Sequence, residues 1–395
     1  NGQYLARFLS QEDINYVALD LDPDRVREAS TGGENVVYGD AGRKEALMAA
    51  GLMTALPALA QDKLSVMLDW FVNPDHAPLF VAQEKGFFKA RGLDVTDDAA
   101  AVSYLERIGY YRLSAYWYSF RKASLTQDPT TKKISICRED AFHPGSSFQQ
   151  AVELYVFDKR LRLMVLDAIE RIEVAIRVDV SYLLGAKDPF AHTNPALLHG
   201  NFTKKVNPAT GNTRHQDWLL KCDQALTRSK EDFVQHYKQK YGLPLPIWVS
   251  VELWEFGMLS TFFQGMTVAD KTAIATKYGI PDWQVMESWL RALNFVRNVA
   301  AHHSRLWNKN LVDQPKLPKL GDIPDFDQII AVPGVASRLY VVLCMLVFFM
   351  RAICPNSSWP TRLREMLRLF PAVPKLSLAD MGFPADWETH VFWAE

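Results

Sequence analysis

Residues 147–184, SFQQAVELYVFDKRLRLMVLDAIERIEVAIRVDVSYLL, set the architecture of the chain. Ser147 and Gln150 have the spacing of a capping box, in which two side chains satisfy backbone amides at a helix start. Beyond them, apolar residues recur every three or four positions, the period of one helix face. The predicted buried face consists of Leu154, Phe157, Leu161, Val165, Ala168, Ile172 and Ile176. So long a helix predicts a mainly α fold, a helical bundle with a small α/β piece in front of it.

A second stretch, residues 293–307 (LNFVRNVAAHHSRLW), is the densest in chemically useful side chains. Read as one helix, it has a polar stripe and an apolar face. The stripe consists of Asn294, Arg297, Asn298 and His302, and the apolar face of Phe295, Val299 and Leu306. An imidazole can move a 2′-hydroxyl proton, and a guanidinium can hold a phosphate by paired hydrogen bonds. An amide side chain can orient the imidazole or the guanidinium. These are the parts needed to cleave RNA without a metal. The same spacing also fits side chains that only cap the last carbonyls of a helix.

The nine positions from Arg297 to Arg305 (RNVAAHHSR) resemble two known patterns. Arg297 and His302 enclose four residues, which is similar to the Arg-x4-6-His signature of the HEPN superfamily of helical RNases. The longer pattern, Arg-Asn-x-x-Ala-His-His-Ser-Arg, resembles the hallmark of abortive-infection proteins of the AbiD/AbiF type. Residues 104–118, 169–177 and 248–257 are similar to other segments of the same family.

This resemblance implies a toxin-type endoribonuclease of antiphage defence. His302 would act as general acid and base, Arg297 and Asn298 would grip the scissile phosphate, and His303 and Arg305 would be secondary. Two such motifs usually face each other across a two-fold axis in this superfamily, so a homodimer is implied. No cofactor and no metal is implied.

Several alternatives stay open at this stage. The protein can instead be a non-catalytic RNA-binding component of a toxin-antitoxin system that holds a small non-coding RNA, with an antitoxin as a partner. Arg107 and Arg112 alternate with aromatic residues, a pattern that suits either bound RNA or an aromatic core helix. Glu170 and Glu173 either hold Arg297 across the bundle or form an ordinary surface pair with Arg177.

The first 99 residues differ in character. Residues 1–52 resemble the nucleotide-binding regulatory domain of potassium-efflux systems, and residues 53–99 resemble the opening of periplasmic pyrimidine-precursor-binding proteins of the thiamine pathway. Gly2 and Asp20 occupy nucleotide-binding positions, but the other glycines that cradle a pyrophosphate are absent, so Asp20 is read as a solvated strand end. Trp70 and His76 are read as packing residues. We therefore predict two truncated fragments of a chimeric reading frame ahead of a helical domain at 100–395, although a transport regulator is a third functional class.

Composition is compatible with these interpretations. Hydrophobic residues make up 48% of the 395-residue chain, enough for a large core. Residues 1–100 carry 9 Lys and Arg against 16 Asp and Glu (net −7), whereas the rest carries 35 against 29 (net +6), which permits phosphate binding. The four cysteines are scattered, which favours a reducing cytoplasm over a disulfide or zinc framework. The apolar run at 339–350 has twelve residues, too few to span a bilayer, and predicts a buried helix.

Overall fold

A computed structural model describes residues 16–20, 26–27, 30–31, 36–38, 66–69, 91–127 and 134–393. Within these residues the protein is mainly α, as the sequence predicts. The chain divides into two compact units, Asn1–Val152 and Glu153–Glu395. The predicted division at residues 52 and 99 stays a prediction, and Gly2, Trp70 and His76 lie outside the described residues.

The first unit contains a small parallel sheet, which fits the predicted α/β piece. Its strands are β1 (Tyr16–Asp20), β2 (Val36–Tyr38) and β3 (Val66–Asp69), in the order β2-β1-β3. Ala18 is paired with Val36 on one side and with Leu68 on the other. The third strand lies in the second of the two predicted fragments, and it pairs with the central strand of the first.

Two short helices and a hairpin follow in the first unit. Helix α1 (Asp98–Ile108) begins at Asp97, whose side chain accepts a hydrogen bond from the Ala100 amide, and α2 spans Tyr110–Trp117. Strands β4 (Arg121–Gln127) and β5 (Ile134–Phe142) pair antiparallel. The sequence of residues 122–144 predicts either a hairpin or a loop insertion, and this pairing shows that it is a hairpin.

Helix α3 (Phe148–Gly185) is the longest element in the described part of the chain. The capping box is present: the Ser147 amide donates to Gln150 Oε1 at 2.9 Å, and the Gln150 amide donates to Ser147 Oγ at 3.2 Å. None of the seven side chains predicted to be buried is more than 4% exposed. The periodicity of this stretch therefore predicted both the helix and its buried face.

The second unit is built from short helices around the C-terminal part of α3. They are α4 (Gly200–Thr203), α5 (Arg214–Arg228), α6 (Asp232–Tyr241), α7 (Ile247–Ser250), α8 (Phe256–Gly265), α9 (Val268–Lys277), α10 (Trp283–Ala301), α11 (Asp327–Ile330), α12 (Leu339–Ile353) and α13 (Trp359–Arg368). Helix α12 is almost wholly buried, as its apolar run predicts. No helix among the described residues combines the length and the apolarity that crossing a membrane requires.

One predicted helix is broken in the structure. The sequence predicts a single helix over residues 248–265, but α7 gives way to a 3-10 turn at Val251–Leu253, and Trp254 is extended (φ −82°, ψ 119°) before α8 begins. The indole of Trp254 is fully buried, and its Nε1 donates to Ser250 Oγ at 3.1 Å. Tertiary packing of this ring has overridden the local helical pattern, and the break leaves the Trp254 carbonyl available to another partner.

A buried carboxylate on α3 holds the chain that follows α10. Asp158 is fully buried and accepts hydrogen bonds from the Leu306 amide at 3.1 Å and the Trp307 amide at 2.7 Å. Arg162, one turn along the same helix, pairs with Asp158 and also donates to the Ser304 carbonyl at 3.4 Å. We call Asp158 and Arg162 the buried clamp.

The buried clamp should contribute far more stability than an exposed pair of the same type. Asp158→Ala is expected to destabilise the fold by roughly 3–5 kcal/mol, because it leaves Arg162 and two amides buried without their acceptor. The matched control is Asp167→Ala on the same helix, which removes partly exposed pairs with Arg171 and Arg362; the Asp167 side chain is 33% exposed and the two arginines are 38% and 49% exposed. That control should cost about 0–1 kcal/mol. Denaturant unfolding measures both, and equal losses would contradict the assignment.

Candidate functional site

The motif helix ends close to where the sequence predicts. A helix from about residue 281 to 303 was expected, and α10 ends at Ala301 with His302 as its C-cap, so residues 304–307 of the motif lie outside it. His303 has φ +56°, the left-handed region that non-glycine residues seldom adopt. Its amide donates to the Ala300 carbonyl at 3.1 Å, and the Ser304 amide donates to the Val299 carbonyl at 3.0 Å. These two bonds form a Schellman motif with histidine where glycine is usual.

The buried residues near the end of α10 differ from those predicted for its apolar face. The fully buried residues near the end of α10 are Leu293, Val296 and Ala300. Phe295 and Val299, predicted to anchor the helix, are only half-buried. Leu306 is buried as predicted, but outside the helix, where the buried clamp holds its amide. The predicted face was therefore rotated by about one residue.

The predicted polar residues lie at the surface end of α10. Arg297 is half-buried, and its Nη1 donates to Asn298 Oδ1 at 3.3 Å. Asn298 and His302 are exposed and lie one helical turn apart, and His303 beyond them is exposed too. The structure therefore groups the four predicted catalytic residues at one helix end.

Backbone amides satisfy three of the last carbonyls of this helix. The His302 amide donates to the Asn298 carbonyl at 3.0 Å, and the Schellman bonds occupy the carbonyls of Val299 and Ala300. These three carbonyls therefore do not need the side chain of Arg297 or His302 as a cap. Arg305, the last residue of the motif, lies half-buried in the loop after α10. Its neighbour Ser304 provides the carbonyl that Arg162 contacts.

The predicted acids on α3 reach this site in different ways. Glu173 Oε1 accepts from Arg177 Nη2 at 2.5 Å, but their side chains are only 13% and 17% exposed, so the expected surface pair is in fact largely buried. Burial raises the pKa of the Glu173 carboxyl, and the charges of Arg177 and Arg297 oppose that rise. Glu170 is exposed, and its negative charge also raises the pKa of Glu173.

Three segments that sequence analysis treated separately meet here. Arg177 Nη2 also donates to the Trp254 carbonyl at 2.5 Å, which links α3 to the break before α8. Gly257 at the start of α8 faces Asn294 of α10, and a Cβ at Gly257 would lie 3.3 Å from the Asn294 Oδ1. The absence of a side chain at Gly257 therefore allows the close approach of α8 and α10.

The other two predicted RNA-binding arginines belong to the first unit. Arg107 is exposed, donates to Ser103 Oγ at 2.7 Å, and lies over the Tyr104 ring at 5.9 Å. Arg112 is exposed on α2. Tyr116 and Trp117 on the same helix are 1% exposed, so this segment is at least in part the aromatic core helix that was the alternative.

The buried clamp was missed in the sequence, although a signal was present. Asp158 lies four residues after Leu154 and three before Leu161, so it interrupts an otherwise apolar stripe. An Arg at i+4 is the partner that a buried Asp requires. No cluster of three or more His, Cys, Asp or Glu side chains suited to a metal ion is found in the described part of the chain.

Comparison with curated proteins finds short matches. A Haemophilus influenzae protein named for thiamine biosynthesis is 60% identical over 45 residues, covering 11% of this chain and 14% of that protein. A 4-amino-5-hydroxymethyl-2-methylpyrimidine phosphate synthase of Uromyces fabae is 51% identical over 37 residues (9% and 11%). An Alkalimonas amylolytica protein named as a K(+) efflux antiporter is 38% identical over 68 residues (17% and 10%). The chain thus spans about a seventh or less of these relatives.

Three family models match successive parts of the chain. A TrkA-N domain model matches residues 1–63, and an NMT1/THI5 like model matches residues 73–101. No solved structure matches the chain. The model described as Abi-like protein matches residues 103–308, slightly more than half of the chain, and includes α3, the Trp254 break and the motif at the end of α10. The resemblance to abortive-infection proteins is confirmed, and the chain belongs to the Abi-like protein family.

Proposed function

We propose that this protein acts in abortive infection as a metal-independent endoribonuclease whose site is the C-terminal end of α10. The observation that carries the proposal is the grouping of Arg297, Asn298, His302 and His303 at a helix end where backbone amides already satisfy three of the last carbonyls. Side chains that the helix does not need as caps remain available to a ligand. Imidazole and guanidinium are suited to proton transfer and to phosphate binding.

The left-handed conformation of His303 supports a functional role. A non-glycine residue at φ +56° carries a strain of roughly 1–3 kcal/mol, and such residues cluster at active sites and ligand clamps. Glycine at this position would be free of the left-handed strain. Histidine there instead presents a second imidazole beside His302.

The proposed reaction is an internal transesterification. A neutral imidazole takes the proton of the 2′-hydroxyl, whose oxygen attacks the adjacent phosphorus, and the bond from phosphorus to the 5′-oxygen breaks as that oxygen gains a proton from an imidazolium. Arg297, oriented by Asn298, binds the non-bridging oxygens, on which negative charge develops. The products are a 2′,3′-cyclic phosphate and a 5′-hydroxyl.

Glu173 and Arg177 are positioning residues in this proposal. Arg177 is bonded to both Glu173 and the Trp254 carbonyl, so it fixes α3 against the segment before α8. The Arg297 charge lowers the pKa of the Glu173 carboxyl, in opposition to burial. In this proposal the acid helps to orient the Arg297 guanidinium through its charge.

We also propose that the active form is a homodimer with two motifs facing each other. One protomer supplies a single Arg297 and a sparse set of proton-transfer groups, and a two-fold axis would double them. Light scattering on the full chain should give the mass of a dimer at micromolar concentration. A monomeric form that cleaves RNA at the same rate per chain as the dimer would contradict this part of the proposal.

His302→Ala should abolish RNA cleavage and leave the fold intact. Loss of a general acid or base lowers a rate by roughly 100- to 10,000-fold, whereas truncating an exposed side chain changes stability by within about 0.5 kcal/mol. His236→Ala, on the exposed side of α6, is the matched control and should retain activity. Gel-resolved cleavage of single-stranded RNA and thermal unfolding give the two readouts.

Two outcomes would overturn the enzyme proposal. If His302→Ala lowers the melting temperature by many degrees while the folded fraction cleaves normally, the histidine has a structural role at the helix end. If the wild-type chain binds RNA with a steep salt dependence and yields no product, it is an RNA-binding component of a toxin-antitoxin system.

Arg297→Lys should also be severely impaired, because an ammonium cannot make the planar, paired contact that a guanidinium makes with phosphate. Arg291→Lys, at an exposed position on the same helix, is the control and should retain activity. Wild-type cleavage should persist in EDTA and leave 2′,3′-cyclic phosphate ends, which mass spectrometry of the products detects. Cleavage that stops in EDTA and leaves 5′-phosphate ends would contradict the mechanism.

A further inference from the structure

Residues 103–122 in the first unit combine aromatic side chains with an excess of positive charge. Their net charge is +3, from four cations against one acid: Arg107, Arg112, Arg121 and Lys122 against Glu106. Residues 101–395 as a whole carry a net charge of +6, so half of that excess lies in these twenty residues. A local excess of positive charge attracts a polyanion.

The aromatic rings around α2 are divided between the core and the surface. Tyr116 and Trp117 are each only 1% exposed. Tyr111 is 65% exposed, and Tyr118, directly after the helix, is 47% exposed. The Tyr110 ring lies between the two groups, with its centroid 5.4 Å from that of Tyr111 and 5.5 Å from that of Trp117. A core helix therefore accounts for the buried rings but not for the two exposed ones.

The two exposed rings lie on the same side of the helix. Tyr111 and Tyr118 are seven residues apart, which is two helical turns and a rise of roughly 10 Å. The backbone of Tyr118 (φ −55°, ψ −32°) is still helical, so this spacing applies to it. Exposed aromatic rings next to cations form the surface on which proteins stack the bases of single strands.

The Tyr118 ring is held in place by two arginines. The guanidinium carbons of Arg121 and Arg138 lie over the ring, 5.7 Å and 5.9 Å from its centroid. Arg138 Nη1 donates to the Arg121 carbonyl at 2.8 Å, and Arg121 pairs with Asp140 at 3.3 Å. Because these contacts already order the ring, a ligand that stacks on it causes little further loss of conformational freedom.

Other cations remain available to phosphate groups. Arg112 directly follows Tyr111, and Lys122 lies four residues after Tyr118. Both side chains are exposed, and neither forms an ion pair with any residue that the structure describes. Each exposed ring therefore has an exposed cation close to it in the sequence, and the sugar-phosphate backbone of a strand needs such cations beside its stacked bases.

We propose that Tyr111 and Tyr118 form a stacking platform for single-stranded RNA, with Arg112 and Lys122 holding its phosphates. A duplex does not suit the platform, because its bases are stacked on one another and cannot turn their faces to a tyrosine. The choice of RNA rests on the proposed function. Binding at the platform does not depend on cleavage at the end of α10.

Fluorescence anisotropy of the full-length protein with a labelled single-stranded 2′-O-methyl oligonucleotide tests the proposal, because this RNA cannot undergo the internal attack. Tyr111→Ala should raise the Kd roughly 5- to 150-fold through loss of base stacking, and Tyr118→Ala should act in the same direction. Tyr111→Phe keeps the ring and should bind as the wild type does. The matched control is Tyr241→Ala, which should not change the Kd. Tyr241 is 61% exposed and also lies beside a second tyrosine and a cation.

Salt dependence gives a second readout for the phosphate contacts. Arg112→Gln should weaken binding and reduce the slope of log Kd against log salt concentration by about one, as expected for the loss of one phosphate contact. Arg228→Gln, at an exposed position on α5, is the control and should leave the slope unchanged.

Three results would overturn the platform. They are a wild-type Kd in both Tyr111→Ala and Tyr118→Ala, a Tyr111→Phe variant as weak as Tyr111→Ala, and equal affinity of the protein for the strand and for its duplex. All are measured on RNA that cannot be cleaved, so they are independent of the enzyme proposal. A protein that shows the expected losses of binding but cleaves no RNA keeps the platform and contradicts only the proposed reaction.

Discussion

The Asp158 carboxylate is the interaction on which the candidate site depends. It is fully buried on the longest helix and accepts the amides of Leu306 and Trp307, the residues that lead the chain away from the motif. Removing a charge from water is costly, and it is tolerated here because Arg162 pairs with the acid and the two amides occupy its oxygens. The clamp therefore fixes where the chain goes after α10, and so where α10 must end.

That constraint accounts for the strained backbone at His303. A helix that continued past Ala301 would carry the amides of Leu306 and Trp307 away from Asp158. The chain instead reverses through a left-handed residue, and the bonds from the His303 and Ser304 amides hold the turn. Strain of this kind persists only where surrounding contacts hold the backbone in place. The buried clamp holds the chain just beyond the turn and so keeps His303 in this conformation. Exposure of both histidines follows from the reversal.

Much of this arrangement could be predicted from the sequence, and the failures share one cause. The seven buried positions of α3 followed from periodicity, because a helix that packs along its length must repeat its apolar face. The left-handed turn after α10, the rotation of its buried face away from Phe295 and the break at Trp254 did not follow. Each is set by a tertiary contact: the clamp at Asp158, the close approach of Gly257 to Asn294, or the packing of the Trp254 indole against Trp218. Local pattern cannot encode partners that lie tens of residues away. The sequence contains one signal of the buried clamp, an acidic residue within an apolar stripe.

The charges around Glu173 bear on the proposed role of Arg297 in phosphate binding. Arg177 is already bonded to Glu173 and to the Trp254 carbonyl and lies 3.7 Å from Glu252, so the charge of Glu173 has a close counter-ion. Burial nevertheless outweighs the attraction of both cations and raises the pKa of the Glu173 carboxyl. A guanidinium has five N–H donors, and the bond to Asn298 uses one of them. In the proposed reaction, other donors of the same guanidinium hold the phosphate.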